Sequence, residues 1–323
     1  MTGVEVPPPE EIIRYEKDRD TRIATITIDR PDQLNVPTIG ARRRYADLLF
    51  KASIDDDVKV LVVRGVGDHL GTGADLDELL AKREAGTALA EEFGLTEDDD
   101  VTLPDPATYR AHASLVHWYG NTRSGCRSLQ DFKKISILEV KGYCYGWHFY
   151  QAGDADLVIS SDDALFGHPA FRYVGYAPRM WQWAMTMGLR KFQEMVFTGR
   201  PFTADEMYDC NFVNSVVPRA DLEAEVDRYV LACANTRPTD TVFMQKVFFE
   251  VMKQQQGESL GTLLSAWLES MGGLLRTDDD HRPANLSGQT RDDGLNNAVK
   301  DNDSLFPPEW RLSRSGRRRP AGE

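Results

Sequence analysis

The strongest constraint on the fold is a mainly apolar run, residues 58–65 (VKVLVVRG), that lies between polar flanks. A short run of this kind is typical of a strand that is covered on both faces. A glycine-rich turn follows it, and a helix is predicted to begin at Asp75. The same order of strand, turn and helix recurs at residues 135–140 and 142–153. The chain is therefore expected to form a layered α/β core.

Other segments extend this pattern. Further strands are predicted at residues 23–29, 156–160 and 164–167, because β-branched and apolar residues there lie between turn-forming residues. Helices are predicted at residues 38–53, 178–189, 191–197, 204–210, 221–236, 239–256 and 260–274. Strands and helices alternate in the first half and helices dominate the second, which indicates an α/β core with a helical cap.

Composition divides the chain into four predicted regions. Residues 1–20 begin with prolines and acidic residues and are expected to be a mobile tail. Residues 21–258 are predicted to form the core, with a partly helical insertion at about 81–130. Residues 259–310 are predicted to be a C-terminal helical region. Residues 311–323 contain five arginines and are expected to be a disordered basic tail.

Charge and residue usage disfavour several classes of function. The net charge of -13 argues against nucleic acid and anionic membranes as partners. No run of about 18 apolar residues occurs, so no membrane span is expected. The N-terminus lacks a basic segment followed by an apolar one, and we expect a cytoplasmic protein. Four cysteines without a CxxC pair are expected to be reduced thiols, and six scattered histidines predict no metal site.

Two turns are candidates for chemistry, residues 70–76 (LGTGADL) and 142–148 (GYCYGWH). Each precedes a predicted helix, where unpaired backbone N–H groups and the helix dipole favour negative charge. Two such groups that converge on one carbonyl oxygen would stabilise an oxyanion, by about 3 kcal/mol for each donor. Glycine before a helix is also ordinary punctuation, so the turns alone leave both interpretations open.

Six short motifs occur in a fixed order along the chain. They are TIDRPDQLN at 27–35, the strand and GAD turn at 60–76, EVKGY at 139–143, ADLVIS with ALFG at 155–167, FTGRPFTA with VVP at 197–218, and DGL with FP at 293–307. This order resembles that of the enoyl-CoA hydratase/isomerase (crotonase) superfamily, over roughly residues 20–80 and 130–310. The resemblance implies a crotonase-like spiral of ββα units with a C-terminal helical trimerisation region. It also implies a homotrimer or a dimer of trimers, with coenzyme A entering as part of an acyl thioester substrate and no permanently bound cofactor.

The resemblance also implies site residues. The backbone N–H groups of Ala74 and Trp147 would be the two oxyanion donors. Their neighbours at the first turn, Thr72, Gly73, Asp75 and Leu76, are expected to contact the thioester. The two glutamates that hydratases of the family use fall on Tyr150 and Ala170, so ordinary two-glutamate hydration is disfavoured.

Other side chains are candidates to replace these carboxylates. Tyr150 is the candidate proton donor, and His148 or His168 the candidate base, since histidine titrates near neutrality. Arg172 could bind a second oxygen function of the substrate, and Asp154, four residues beyond Tyr150, could orient its hydroxyl. A structural role remains open for each: His148 facing away from the site, His168 ending a strand, and Arg172 in a plain salt bridge.

These features predict an acyl-CoA enzyme that generates or protonates an enolate with a bulky or cyclic acyl group. A hydratase or lyase, an isomerase and a decarboxylase all remain open. Two other classes also remain, a CoA-independent C–C bond hydrolase of a cyclic β-diketone and a non-catalytic binding protein. Activity without CoA would indicate the first, and absence of turnover across a substrate panel the second.

Overall fold

The structure is a computed structural model that describes residues 6–106, 108–121, 124–272 and 286–318. The strands in these ranges are β1 (Ile13–Asp18), β2 (Ile23–Ile28), β3 (Val60–Gly65), β4 (Ile135–Val140), β5 (Tyr143–Tyr145), β6 (Leu157–Ser161), β7 (Leu165–Gly167), β8 (Phe202–Thr203) and β9 (Ser215–Val217). The helices are α1 (Pro9–Ile12), α2 (Ile39–Ile54), α3 (Leu76–Ala85), α4 (Ala88–Phe93), α5 (Tyr109–Tyr119), α6 (Trp147–Asp154), α7 (Ala170–Tyr173), α8 (Met180–Met187), α9 (Leu189–Thr198), α10 (Ala204–Asp209), α11 (Leu222–Thr236), α12 (Thr239–Gln255), α13 (Glu258–Gly272), α14 (Leu286–Asp293), α15 (Leu295–Asp303) and α16 (Arg314–Arg317).

Two sheets organise the strands. The larger has the order β1-β2-β3-β4-β6-β9, and the smaller has the order β5-β7-β8. In the larger sheet only β1 and β2 pair antiparallel, and the other neighbours are parallel. Parallel neighbours need crossover connections, which explains why helices and loops separate β2, β3, β4 and β6 in the sequence.

A repeated unit links the sheets. β4 in the large sheet is followed by β5 in the small sheet and then by α6, and β6, β7 and α7 repeat this order. β3 begins a similar unit, in which a parallel bridge between Gly71 and Cys144 precedes α3. The predicted succession of ββα units in a mixed α/β fold is therefore confirmed.

The central strand β3 is buried on both faces, as the apolar run predicted. Leu61 and Val63 belong to the main core between the two sheets. Val60 and Val62 point to the opposite face, where they pack with Val226 and other residues of α11. Because β3 separates two cores, its carboxyl end and the turn that follows are firmly positioned.

Residues 9–18 correct the prediction of a mobile tail at residues 1–20. Pro9–Ile12 form a helical turn, and β1 pairs with β2 from Ile13 to Asp18. Ile12 and Ile13 are fully buried, because they cover the edge of the core next to α2. The prediction gave weight to the prolines and charges of this segment, whereas burial of the adjacent Ile12 and Ile13 anchors the strand.

The described part of the predicted basic tail, residues 311–318, is also ordered. Arg311 and Leu312 are buried, and the side chain of Arg314 donates to Asp163 at 2.8 Å. The Tyr145 hydroxyl donates to the Leu312 carbonyl at 2.8 Å. These arginines have partners within the fold, so they do not form a solvated tail. Residues 319–323 lie outside the described residues.

The insertion predicted at about 81–130 contains the end of α3, then α4 and α5, which agrees with the partly helical prediction. Arg42 on α2 forms a buried ion pair with Glu92 on α4, at 3.0 Å. His112 on α5 hydrogen-bonds to the Ser270 carbonyl on α13 at 2.6 Å. The insertion is therefore packed on the core and on the C-terminal helices. Among the described residues, no helix combines the length and apolarity that a membrane crossing requires.

Candidate active site

The two glycine-rich turns lie against each other. The Gly71 N–H donates to the Tyr143 carbonyl at 2.8 Å, and the Tyr145 N–H donates to the Gly71 carbonyl at 3.0 Å. A Cβ atom at Gly146 would lie 2.9 Å from the Gly73 Cα, and one at Gly73 would lie 4.0 Å from the Trp147 nitrogen. Gly146 also has a φ of 56°, which disfavours any side chain. These glycines thus allow the two turns to meet at van der Waals distance.

Two backbone donors emerge from this contact, the N–H groups of Ala74 and Trp147. Trp147 is the first residue of α6, and the first N–H groups of a helix have no acceptor within the helix. Ala74 lies just before α3, between Gly73, whose N–H donates to His148, and Asp75, whose N–H donates to the Pro37 carbonyl. Within the described residues, neither the Ala74 N–H nor the Trp147 N–H has an acceptor. A pair of free donors on adjoining turns can hold one anionic oxygen.

The Trp147 side chain does not disturb its backbone. Gly146 has the positive φ of this turn, and Trp147 itself has no positive φ. Its indole N–H donates to the Gly125 carbonyl at 2.9 Å, and its ring meets Tyr45 edge to face at 5.0 Å. The indole is only 2% exposed, so it is part of the packed wall behind the turn. Tryptophan is therefore compatible with a backbone donor at this position.

His148 is enclosed between the two turns. Its Nδ1 accepts a hydrogen bond from the Gly73 N–H at 3.2 Å, and its side chain is fully buried. Burial lowers the pKa of His148 to about 3, against a smaller opposing effect from the Tyr145 and Asn35 carbonyls. The ring is therefore neutral at pH 7 and its Nδ1 lone pair is engaged. The prediction of His148 as a base is corrected on this ground, since a general base needs a free and basic nitrogen.

Tyr150 and His168 form the other half of the site. Tyr150 lies one helical turn after Trp147, and its ring lies 5.5 Å from that of His168 and 5.6 Å from that of Trp183. Ala170 begins α7 two residues after His168. Burial raises the pKa of Tyr150 well above its ordinary value, with a smaller effect from Glu269, and burial lowers the pKa of His168. Both side chains are thus neutral at pH 7.

The sequence and the fold are similar to those of known proteins. The sequence profile of the enoyl-CoA hydratase/isomerase family matches residues 111–265. The crystal structure of an enoyl-CoA hydratase from Mycobacterium smegmatis superposes with a TM-score of 0.76 at 22% identity, over 97% of this chain and 98% of that one. The chain is thus similar to the enoyl-CoA hydratase/isomerase (crotonase) family over residues 111–265 and has the fold of a solved enoyl-CoA hydratase.

Curated relatives within the superfamily differ in their named reactions. A hydroxycinnamoyl-CoA hydratase-lyase of Pseudomonas fluorescens is 28% identical over 62% of this chain and 65% of its own length. A "(7aS)-7a-methyl-1,5-dioxo-2,3,5,6,7,7a-hexahydro-1H-indene-carboxyl-CoA hydrolase" of Rhodococcus jostii is 24% identical over 66% of this chain and 75% of its own length. The chain spans a little under two thirds of the length of the first of these relatives.

Arg172 does not reach the candidate site. Its guanidinium pairs with Asp303 at 2.9 Å, donates to the Gly199 and Trp310 carbonyls, and lies 3.7 Å over the Phe306 ring. All of its donor nitrogens are therefore engaged in fixing the segment after α15 to the core. The prediction that Arg172 binds substrate is corrected, and the plain salt bridge is the observed arrangement.

The residues around Ala74 are also largely engaged. The Asp75 carboxylate pairs with Arg30 at 2.6 Å and accepts from the Glu78 N–H at 3.0 Å, so it stabilises the start of α3. The Thr72 N–H donates to the Leu34 carbonyl at 3.2 Å. Leu76 is 39% exposed at the first position of α3. The carboxylate and the backbone N–H of Asp75 are both engaged within the fold, and a contact of Asp75 with the thioester stays a prediction.

Asp154 does not orient Tyr150. It forms a buried ion pair with Arg179, which also donates to Gln130. This pair joins α6 to the N-terminus of α8. The prediction from the four-residue spacing, that Asp154 contacts Tyr150, was therefore wrong. His69 is likewise structural, since its Nδ1 accepts from the Tyr143 N–H at 3.1 Å.

Sequence reasoning missed three neighbours of the site. Trp183 packs against both Tyr150 and His168, Gly125 receives the Trp147 indole, and Asn35 holds the turn after β3 by donating to the Val66 and His69 carbonyls. The RPxxxN motif was a signal for Asn35. Trp183 and Gly125 lie 22 or more residues from Trp147 in sequence, and no local pattern connects them to α6.

Proposed function

We propose that this chain is an acyl-CoA enzyme that stabilises a thioester enolate between the backbone N–H groups of Ala74 and Trp147. The observation that supports it is the pair of unpartnered donors on two turns in van der Waals contact. An enolate oxygen carries negative charge that a ground-state carbonyl lacks, so preorganised donors favour the reacting state. The surroundings are buried, which strengthens these interactions relative to water.

The neutral side chains opposite the donors narrow the reaction type. Tyr150 and His168 are both neutral at pH 7, and the Glu269 carboxylate lies close enough to Tyr150 to raise the pKa of its hydroxyl further. A neutral tyrosine and a neutral histidine suit reactions in which bond cleavage itself releases the enolate, as in decarboxylation or C–C cleavage. Tyr150 would then donate the proton that quenches the enolate.

The acyl group is proposed to be bulky or cyclic. Tyr150 and His168 pack on each other one helical turn beyond the Trp147 donor, with the buried Trp183 behind them, and aromatic faces pack well on planar rings. The names of the two relatives described above each specify an acyl group that contains a ring. We place the thioester along residues 72–76, with the exposed Leu76 toward the long coenzyme A portion.

Hydrolytic C–C cleavage is the second candidate. The named reaction of the hydrolase relative from Rhodococcus jostii favours it over hydration. This reaction needs an added water, whereas decarboxylation does not. Products formed in ¹⁸O-labelled water distinguish them, because only hydrolysis incorporates the label into a carboxylate.

The assembly is proposed to be a trimer built on the outer faces of α12 and α13. Large apolar side chains remain exposed there in the single chain: Phe243, Met244, Val247, Phe248, Val251, Met252, Leu260, Leu263, Leu264 and Trp267. A contiguous apolar surface of this size is unusual on a monomer and marks an interface. A rotation that closes after three copies would bury it.

The first experiment compares thermal stability with CoA, acetyl-CoA, a malonyl-type CoA and a cyclic acyl-CoA. A ligand at 100 times its Kd stabilises the folded state by about 2.7 kcal/mol, which raises Tm by a few degrees. We expect a shift with the acyl-CoAs, followed by turnover of those whose C–C bond can break. Activity on free diketones without CoA, or binding of none of these ligands to a folded sample, would contradict the proposal.

A further inference from the structure

The imidazole of His148 has no role as acid or base, yet it is fully buried between the two donor turns. Its Nδ1 accepts from the Gly73 N–H at 3.2 Å. A Cβ atom at Gly71 would lie 2.2 Å from the ring, so residue 71 has no space for a side chain. The ring thus contacts both Gly71 and Gly73, the first and last residues of the segment that precedes Ala74.

The hydrogen bond fixes the state of the ring. Because Nδ1 is the acceptor, the single proton of the neutral imidazole is on Nε2. Burial favours this neutral form, which the Tyr145 and Asn35 carbonyls oppose more weakly.

Gly73 immediately precedes Ala74, and its own φ of 120° is accessible to few other residues. A free glycine at this position would leave the Gly73–Ala74 peptide plane able to rotate. The hydrogen bond to His148 holds the nitrogen of Gly73, and the Asp75 N–H is held by the Pro37 carbonyl at 3.3 Å. The Ala74 N–H lies between these two fixed points.

We infer that His148 is a positioning residue, which orients the Ala74 N–H toward the enolate oxygen by accepting the Gly73 N–H. The inference rests on the proposed function, because it concerns the same oxyanion site. α6 then supplies one donor directly, through the Trp147 backbone, and aligns the other through the side chain of the next residue. The two donors are coupled by one helix start.

The test uses acetoacetyl-CoA as the probe. Its C2 proton is lost to solvent on ionisation, and the enolate absorbs in the near ultraviolet. We measure the pH midpoint of enolate formation for the bound probe in the wild-type protein, in His148→Phe and in His148→Asn. Phenylalanine retains a ring against Gly71 without an acceptor, whereas the Asn Oδ1 can take the place of Nδ1.

The wild-type protein should ionise the bound probe at a lower pH than free acetoacetyl-CoA. His148→Phe should raise the midpoint by about one pH unit or more, which is about a ten-fold loss of enolate stabilisation, because misplaced donors are costly. His148→Asn should recover most of the loss, with an unchanged Kd for CoA itself. A loss of folding alone would affect CoA binding too.

Two outcomes are distinguishable. A wild-type protein that binds the probe without lowering its midpoint overturns the proposed function, and the inference with it. A lowered midpoint in the wild type that His148→Phe leaves unchanged overturns the inference alone. Should His148→Phe not fold, ¹⁵N-histidine NMR of the wild type decides: a ring fixed as the Nε2–H tautomer between pH 5 and 8 supports the inference, and one that titrates near its ordinary pKa overturns it.

Discussion

At the scale of the residue, three side chains in the first turn of α6 have different surroundings. Trp147 contributes its backbone while its indole is packed against Gly125 and Tyr45. His148 is fixed under the neighbouring turn, and Tyr150 faces the aromatic side of the site. Trp147 and Tyr150 are three residues apart and are therefore neighbours on the helix surface, whereas the adjacent residues Trp147 and His148 point in different directions. Tyr150 is therefore the side chain from this turn that can meet a substrate carbon.

Substitution of the Tyr150 hydroxyl tests its role as proton donor. We expect Tyr150→Phe to lower kcat on the identified substrate by about 10²- to 10⁴-fold, the usual value of a positioned acid. KM should change little, because the ring and its packing on Trp183 remain. The exposed Tyr208 provides the matched control Tyr208→Phe. Turnover by Tyr150→Phe equal to that of the control would remove Tyr150 from the mechanism.

The buried histidines predict a specific pH dependence of stability. The pKa of His148 is about 3 in the folded state and near its ordinary value of 6.5 when unfolded. The unfolded chain therefore binds more protons between these values, so stability is complete above about pH 6.5 and is lost as the pH falls toward 3. Between about pH 7.5 and 5.5 this one group should cost about 1.4 kcal/mol of unfolding free energy.

Urea unfolding of the wild-type protein and of His148→Asn at the two pH values measures this cost. On acidification, the free energy of unfolding should fall less in the variant than in the wild type. The difference should be about the 1.4 kcal/mol expected for His148. An equal acid loss in both proteins would contradict a neutral, buried His148.

At the scale of the element, α5 of the insertion packs on α13, whereas α4 is joined to α2 mainly by one buried ion pair. The Arg42–Glu92 pair joins α2 to α4, and both side chains are about nine-tenths buried. The Trp118 indole of α5 lies 3.4 Å from the same carboxylate. Since Tyr119 and Cys126, near Tyr150, follow in this segment, the ion pair also positions a wall of the site.

Glu92→Ala should leave the Arg42 charge buried and unpaired, at a cost of about 3–5 kcal/mol. Its neighbour Glu91, paired with Lys82 and more exposed, provides the control Glu91→Ala, with an expected cost below about 1 kcal/mol. Hydrogen exchange should increase in α4 and α5 of Glu92→Ala only. Equal exchange in the two variants would show that the pair does not hold the insertion.

Elements with their own periodicity could be predicted from the sequence. The strand at residues 135–140 and the helices at 239–256 and 260–274 agree with β4, α12 and α13 to within two residues. Short strands such as β5 and β8 were not predicted, because two or three residues carry no period and their pairing depends on distant partners. The ordering of β1 depended on two isoleucines in a charged segment.

The parts of the candidate site that consist of backbone groups could be predicted from the sequence. The two turns and Tyr150 follow from motif order and helix spacing, and they remain the basis of the proposed function. Arg172 and Asp154 could not be placed, because their partners Asp303 and Arg179 are 131 and 25 residues away. A charged side chain close to a site in sequence is as readily recruited by a buried counter-ion as by a substrate.

At the scale of the whole molecule, the outer faces of α12 and α13 predict association. Phe248→Glu would place a charge in the proposed interface and should convert a trimer to monomers. Phe50 on α2, with similar exposure, provides the control Phe50→Glu. Light scattering should give three times the 36.4 kDa chain mass for the wild type and the control, and the chain mass for Phe248→Glu. A wild-type protein of the chain mass would contradict the trimer.

The most direct test of the central claim removes one backbone donor. Ala74→Pro lacks the N–H, and Ala74→Ser retains it with a side chain of similar size. With acetoacetyl-CoA bound, the pH midpoint of enolate formation should rise by about two units in Ala74→Pro, since one donor is worth roughly 10²- to 10³-fold, and should stay near the wild-type value in Ala74→Ser. A folded Ala74→Pro protein with the wild-type midpoint would show that the Ala74 N–H does not hold the enolate.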